Sequence, residues 1–521
     1  MPQSDTVSIP KRLPLVVQAE NRNASPTEDA RLINGYVEKV ESTGSYQVYK
    51  RPGLLQTGDT KSGNGYGVYN WLGDVYSIFG ATMYKNGIAL VGTVDATGGV
   101  YRFSQSLGAT LRLQFGNGVA SYNYDSSAGI VKISNLQTVT AGDFLPVEYT
   151  ILTTGTTDFT LIGAANSNPG TIFTATGPGV GTGTASTASN FPLVALKGWA
   201  YLDGTTYVGT ASADVRGCAE INNTVDWSDV NNTLAAQIEA DGGIAMAKQL
   251  VYVILLGQWS TEVFYDQGNA TGSPLGPVQG AKVNYGCLSA DSVQDIDGIL
   301  LWLASNRAAA PQILILESLK ATIISTKAID RILGEVDLST VYSFGIKFDG
   351  HRFYGITFKN SNITLVYDLV DHMWSQWTDT NGDYWPFVSA TYSGNSERIL
   401  QHETNGKLYL LDSSYTSDDG DTIDFEIYTP NFDGGVRRRK QLNVIEIVAD
   451  QTPGSVMQVR SNDYDYDPAK WTNFRTVDLA LKKSVLTNNG TFMRRAYHFR
   501  HQCNTRLRLQ AVELQIDIGT L

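Results

Sequence analysis

Short runs of β-branched and aromatic residues, each closed by a Gly, Asn or Asp turn, recur along this chain and constrain its fold more than any other feature. Tyr76–Gly87 reads YSIFGATMYKNG, and Ile399–Asp412 reads ILQHETNGKLYLLD. Val251–Asn269 and Tyr354–Trp377 repeat the pattern at greater length. Strand-forming residues that flank a tight polar turn are the signature of a β-hairpin. The units are unequal in length and irregularly spaced. Degenerate hairpins over roughly 350 residues fit propeller blades, with a set of β-sandwiches as the rival. At 521 residues the chain exceeds one ordinary core, so two or three domains are expected.

Helical signals are few. Ser325–Leu333 (STKAIDRIL) spaces Ala328, Ile329, Ile332 and Leu333 as one face of a helix, and Gly334 follows as a stop. Leu234–Glu239 reads as a short helical turn ahead of Gly242 and Gly243. Trp374 and Trp377 sit at hairpin ends and are expected in core between blades.

Residues 137–190 differ from their surroundings. They are rich in Thr, Gly and Ala, with Asp143, Glu148 and Asp158 as the only charges. A structureless loop of that length is uncommon in a compact domain, so a small inserted β-module is expected. Near the C-terminus, Leu507, Leu509 and Ala511 alternate with polar residues. The phase then slips by one to Val512, Leu514, Ile516 and Ile518. Such a slip turns every side chain over, so a bulge or break belongs near Ala511 and Val512. The resulting division is 1–55 as an N-terminal arm and first strands, 56–136 and 191–417 as two propeller parts, 137–190 as the insertion, and 418–521 as a C-terminal β-sandwich.

Charge is uneven. The chain carries −12, yet from Asn431 onward 14 basic side chains outnumber 9 acidic ones, which leaves −17 for the remainder. An acidic body does not grip nucleic acid, because phosphate binding needs Lys and Arg to displace counterions. The basic run Arg437, Arg438, Arg439 and Lys440, with Arg494 and Arg495, is the strongest charge feature. It reads equally as a docking face for an acidic partner or as a solvated strand face paired with Glu446, Glu513 and Asp517.

Motifs for chemistry are missing. There is no GxxxxGK[ST], HExxH or GxSxG. Cys218, Cys287 and Cys503 are scattered and odd in number, which argues against a zinc site or a disulfide framework. His498 and His501 lack a Cys or carboxylate at ligand spacing, so no metal, cofactor or catalytic residue is predicted. Asp463–Asp467 (DYDYD) lacks the Gly and closing Glu of a calcium loop and reads as a polar hairpin tip. Apolar runs such as Val251–Leu256 are too short to span a bilayer, and no apolar stretch follows Lys11 and Arg12. Synthesis in a cytoplasm is therefore expected.

A series of words along the chain resembles a known family. They are Tyr46–Leu54 (YQVYKRPGL) after Asn34, Gly35 and Tyr36; Val225–Asp229 (VDWSD) and Glu239–Ile244 (EADGGI); Leu256–Phe264 (LGQWSTEVF); Ser325–Asp330 (STKAID); and Gly350–Phe358 (GHRFYGITF), followed by Thr364–Asp368 (TLVYD) and Met373-Trp374. In this order they resemble the packaged-DNA-stabilisation family, the tail hub or nozzle proteins of short-tailed phages. The chain departs from that pattern where Tyr464 or Tyr466 stands in place of a turn glycine.

The resemblance implies an all-β subunit: a six-bladed β-propeller with a C-terminal β-sandwich platform. It also implies a homohexameric ring in the virion tail, below an adaptor ring and surrounded by tail fibres or spikes. Duplex genome DNA would be retained by this ring and would pass through its lumen without sequence-specific binding. Arg437, Arg438, Arg439, Lys440, Arg494 and Arg495 would form the assembly interface. The competing expectations are a propeller glycosidase acting on bacterial polysaccharide and a receptor-binding tail protein.

Overall fold

The structure is a computed structural model. It describes residues 9–15, 30–40, 42–236, 239, 241–269, 271–308 and 310–518. Strands dominate, with Lys327–Leu333 as the one α-helix among the described residues. The chain divides into two compact units: Met1–Phe79 with Asp291–Ala304 and Ala308–Leu521, and Gly80–Ala290 with Ser305–Arg307.

The second unit contains three antiparallel four-stranded meanders. The first runs Arg102–Ser106, Arg112–Gly116, Ser121–Asp125 and Gly129–Lys132. The second runs Trp199–Leu202, Thr205–Gly209, Asp214–Gly217 and Thr233–Ala235. The third runs Gly243–Gln249, Tyr252–Gly257, Thr261–Asp266 and Leu275–Pro277. Local chemistry explains the turns. Asp203 and Gly204 both take positive φ (46° and 88°), the geometry of a tight two-residue hairpin turn, so Leu202 pairs with Thr205. Leu202, Tyr207, Val215, Met246, Leu255 and Phe264 bury one core between the last two meanders. Thr233–Ala235 corrects the expected helical turn at Leu234. Leu234 is paired with Val215, and edge pairing outweighs the helical preference of Leu and Ala. Residues 237 and 238 of that expectation lie outside the described residues.

Residues 136–188 form a separate four-stranded sheet in the order Leu136–Thr140, Thr184–Ala188, Glu148–Thr153, Ile172–Thr174. Its core is built from its own side chains: Phe144, Tyr149, Ile151, Phe159, Ile162, Phe173 and Ala185. Phe144 meets the edge of Tyr149 at 4.9 Å between ring centres. The two ends of the segment touch, Ser189 N donating to Asn135 O at 2.9 Å. A segment with its own core and adjacent ends can be removed without stretching its host. Deleting 137–188, which retains the Asn190 amide that donates to Gly217 O and Asn232 O in the host, is therefore expected to leave the cooperative unfolding of the remaining chain intact. Loss of that transition in calorimetry would count against an insertion.

The first unit contains three more meanders. One runs Gln294–Ile296, Ile299–Ser305, Gln312–Glu317 and Lys320–Ile323. Ile299–Ser305 is buried at every position, as a strand covered on both faces must be. Another runs Val341–Phe348, His351–Phe358, Ile363–Asp368 and Met373–Gln376. The third joins Phe387–Tyr392, Arg398–His402 and Leu408–Asp412 to Gly53–Thr57 from near the N-terminus. A further run of four short strands, from Gly65–Trp71 to Ile88–Ala89, follows Gly53–Thr57 in sequence. Among the described residues, seven such runs lie outside 136–188.

Helix Lys327–Leu333 starts where Thr326 Oγ1 accepts from Ile329 N, and it buries Ala328, Ile329, Ile332 and Leu333 as its spacing predicts. Trp374 and Trp377 are both core residues.

Two larger sheets complete this unit. In one, Arg31–Ile33 extends the sheet of Met373–Gln376 and carries it on to Phe425–Tyr428, Ala496–His501, Val456–Asn462 and Arg475–Asp478. The other orders Gly35–Val40, Ser45–Lys50, Arg508–Ile518, Lys440–Ala449 and Ser484–Thr487, with Ile9–Arg12 beside Arg508–Ile518. They share one core, including Val37, Val48, Phe425, Leu442, Met457, Phe499, Leu509 and Leu514. The expected phase slip is a bulge. Val448 faces Ala511 while Ala449 faces Leu509, so Gln510 is the extra residue.

His501 is fully buried at the end of its strand, with Nε2 2.9 Å from Ser455 Oγ. Burial, with Lys50 nearby, pulls its pKa down to about 3 from 6.5. Between those values the unfolded chain holds a proton that the folded chain does not. This contribution to stability is complete above pH 6.5 and is lost progressively as pH falls toward 3. The urea midpoint should drop between pH 7 and pH 4.5, and by less in His501→Gln. Equal drops would remove His501 as a cause.

Candidate assembly surface

The exposed basic run sits on a braced loop. After Phe425–Tyr428 the chain passes through Thr429–Arg439 and enters strand Lys440–Ala449. Gly434 and Gly435 both have positive φ (60° and 84°), and Asp433 Oδ1 accepts from Gly435 N at 2.9 Å, which closes the turn. Phe432 exchanges backbone hydrogen bonds with Arg495, fixing the loop's base.

Lys440 is almost wholly buried beneath this loop. Its ammonium donates to the carbonyls of Val436, Arg438 and Met493. Burial holds its pKa below the usual lysine value. Lys11 Nζ donates to Gly434 O at 2.7 Å from the neighbouring strand Ile9–Arg12. Two lysines thus neutralise loop carbonyls and shape the backbone.

Arg437, Arg438 and Arg439 are exposed and pair with no acid among the described residues. Three like charges in sequence repel one another unless an external anion sits among them. The other predicted residues behave differently. Arg495 is buried and forks onto Asp463, with Nε–Oδ1 at 2.6 Å and Nη2–Oδ2 at 2.9 Å. It also donates to the carbonyls of Asn489 and Thr491. Arg494 pairs with Asp465. Lys440 and Arg495 are therefore internal braces, and the outward charge consists of Arg437–Arg439 with Arg12, whose side chain is 67% exposed beside Glu513.

The acids that answer the basic residues are mostly not those expected from sequence. Arg508 forks onto Asp450, Asp517 accepts from Asn443, and only Lys483 reaches Glu446. Asp463–Asp467 is the hairpin tip predicted, with its carboxylates committed to Arg495, Arg494 and the first turn of Pro468–Lys470. Tyr466 takes positive φ (67°), as does its neighbour Asp465 (53°), whereas Tyr464 does not. Tyr466 OH donating to Thr429 O at 2.7 Å anchors that strained turn.

His498 and His501 do not converge. His498 stacks on Tyr428 at 3.9 Å and faces Glu426, whereas His501 contacts Ser455. Lys11 and Arg12 were not predicted to join the basic edge. Their strand pairs across some five hundred residues, Arg12 facing Glu513, and nothing local announces this.

A nearly all-β chain of short four-stranded meanders is a propeller-type protein. It belongs to the phage family described as Bacteriophage P22 Gp10, β-propeller, whose model matches residues 32–416. The chain is thus a phage structural protein of the DNA-stabilisation family, located in the virion and assembling with other virion components. No curated protein matches it in a sequence search. Among solved structures it is similar to the N-terminal domain of Nup159, at 9% identity and TM-score 0.33, covering 73% of this chain and 97% of that one. It is also similar to the computationally designed Ika8 protein, at 9% identity and TM-score 0.34, covering 69% and 99%. Among the described residues no helix is long and apolar enough to cross a membrane.

Proposed function

We propose that this chain is the hub or nozzle subunit of a short phage tail. Copies form a closed ring, a homohexamer, that extends the portal–adaptor channel, retains packaged DNA and conducts it during ejection. The four-stranded meander runs are its blades, and the two sheets around Phe425 and Leu514 are its platform. The observation that carries the docking part is the unpaired, braced Arg437–Arg439 edge in a chain of net charge −12. An exposed guanidinium group of this kind suits an acidic face on the adaptor ring above. The acidic remainder suits a lumen that phosphates slide past, with retention coming from a steric constriction. Tail fibres or spikes gather around the ring, and no catalytic step is assigned.

Co-sedimentation with the adaptor ring tests the docking. Attachment should weaken as salt rises well above the physiological range, because exposed charges are screened over about 8 Å at 0.15 M. Attachment indifferent to salt would remove the arginine edge from the reading.

A further inference from the structure

Away from the basic edge, two turns of the Val341–Gln376 meander bring together three side chains that the mechanism above does not use. His351 opens strand His351–Phe358, Asp368 closes strand Ile363–Asp368, and Asp371 lies in the turn that follows. His351 and Asp368 are only 4% and 3% exposed. His351 Nδ1 lies 2.6 Å from Asp368 Oδ2 and 3.6 Å from Asp371 Oδ2. One ligand atom from each residue falls within 4.8 Å of the others.

The remaining carboxylate oxygens are tied back to the backbone. Asp368 Oδ1 accepts from Val370 N at 2.9 Å, and Asp371 Oδ1 accepts from Lys39 N at 3.3 Å. The other oxygen of each carboxylate lies toward His351 Nδ1, Asp368 Oδ2 at 2.6 Å and Asp371 Oδ2 at 3.6 Å. Supporting hydrogen bonds of this kind are what orient ligands around a metal. Tyr36 packs its ring against His351 at 5.0 Å, closing one side.

The charge balance favours a cation. Two carboxylates face one imidazole. No Lys or Arg forms an ion pair with Asp368 or Asp371 among the described residues. A proton on His351 offsets one negative charge, and a divalent ion offsets both.

We propose that His351, Asp368 and Asp371 form a divalent transition-metal site, of the zinc or manganese class. One imidazole and two carboxylates make a mixed N/O donor set suited to those ions. The imidazole binds through the Nδ1 lone pair, its hydrogen moving to Nε2. The ion joins the start of His351–Phe358 to the turn after Asp368, beside strand Gly35–Val40, and acts as a structural staple.

The test uses the untagged full chain after chelator treatment. Calorimetric titration with Zn²⁺ should show one equivalent bound, and Co²⁺ should give a visible absorption band. Asp371→Asn keeps an oxygen for Lys39 N while losing the charge, and a circular dichroism spectrum like the parent's would show that it folds. Loss of even a supporting partner weakens a metal site 10- to 100-fold, so this variant should bind at least about tenfold more weakly. Failure of the parent to bind stoichiometrically below about 100 μM would overturn the site, as would equal binding by folded Asp371→Asn.

Discussion

Arg51→Ala should destabilise the first unit by about 3–5 kcal/mol, the cost of removing one partner from a buried ion pair. The Arg51 side chain is completely buried, and its fork meets both oxygens of Asp418, at 2.9 and 2.6 Å. Its other donors reach Asn34 Oδ1, Pro52 O and Thr378 O. Asn34 in turn accepts from Thr378 N and donates to Asp424 O. The guanidinium group therefore ties the N-terminal segment to the strands around residues 378 and 418. Immediately after it, Gly53–Thr57 completes the sheet of Leu408–Asp412. Alanine leaves the half-buried Asp418 carboxylate and the buried Asn34 amide oxygen without the guanidinium. Lysine keeps the charge but cannot reproduce the fork, so Arg51→Lys should fall between the two. Guanidinium unfolding followed by tryptophan fluorescence reads this directly, because Arg51 lies over the buried ring of Trp385 at 5.5 Å. A loss under 1 kcal/mol would mean that the closure is held elsewhere.

Replacing Arg437, Arg438 and Arg439 together by Glu is expected to abolish attachment to the adaptor ring while the chain still folds. The first half follows from charge: an acidic face that meets three new carboxylates is repelled. The second half follows from geometry, since the three side chains are exposed and Lys440 and Lys11 hold the loop through backbone carbonyls. Lys440→Met should do the reverse and destabilise the loop, because it strips the buried carbonyls of their donor. Tails that assemble normally from the triple variant would exclude this edge as the docking face.

Much of the local structure was legible in the residues. Strand alternation and Gly or Asn turns identify the hairpins, the spacing of Ala328, Ile329, Ile332 and Leu333 identifies the helix, and the phase slip at Ala511 identifies the bulge at Gln510. These signals are local and depend only on period and turn chemistry. Long-range pairing left no such mark. Nothing in Arg31–Ile33 states that it lies between Met373–Gln376 and Phe425–Tyr428, and nothing in Ile9–Arg12 points to Arg508–Ile518. Leu234 was misread because two alanines beside a leucine favour a helix until a neighbouring strand offers a ladder.

The basic run was legible as charge but not as role. Arg439 and Lys440 are adjacent, yet one points to solvent and the other into the loop, because the chain turns from loop to strand between them. The His351 group was missed for a similar reason. Asp368 and Asp371 are near neighbours, but His351 lies 17 residues before Asp368 at no recognised ligand spacing, and the pairing of Phe353 with Asp368 brings their turns together.

Native mass spectrometry of the purified chain, with negative-stain imaging of the same sample, tests the central claim most directly. A closed ring of about six copies around an open channel, formed alone or on the adaptor, is the predicted result. A chain that stays monomeric with the adaptor present would contradict it.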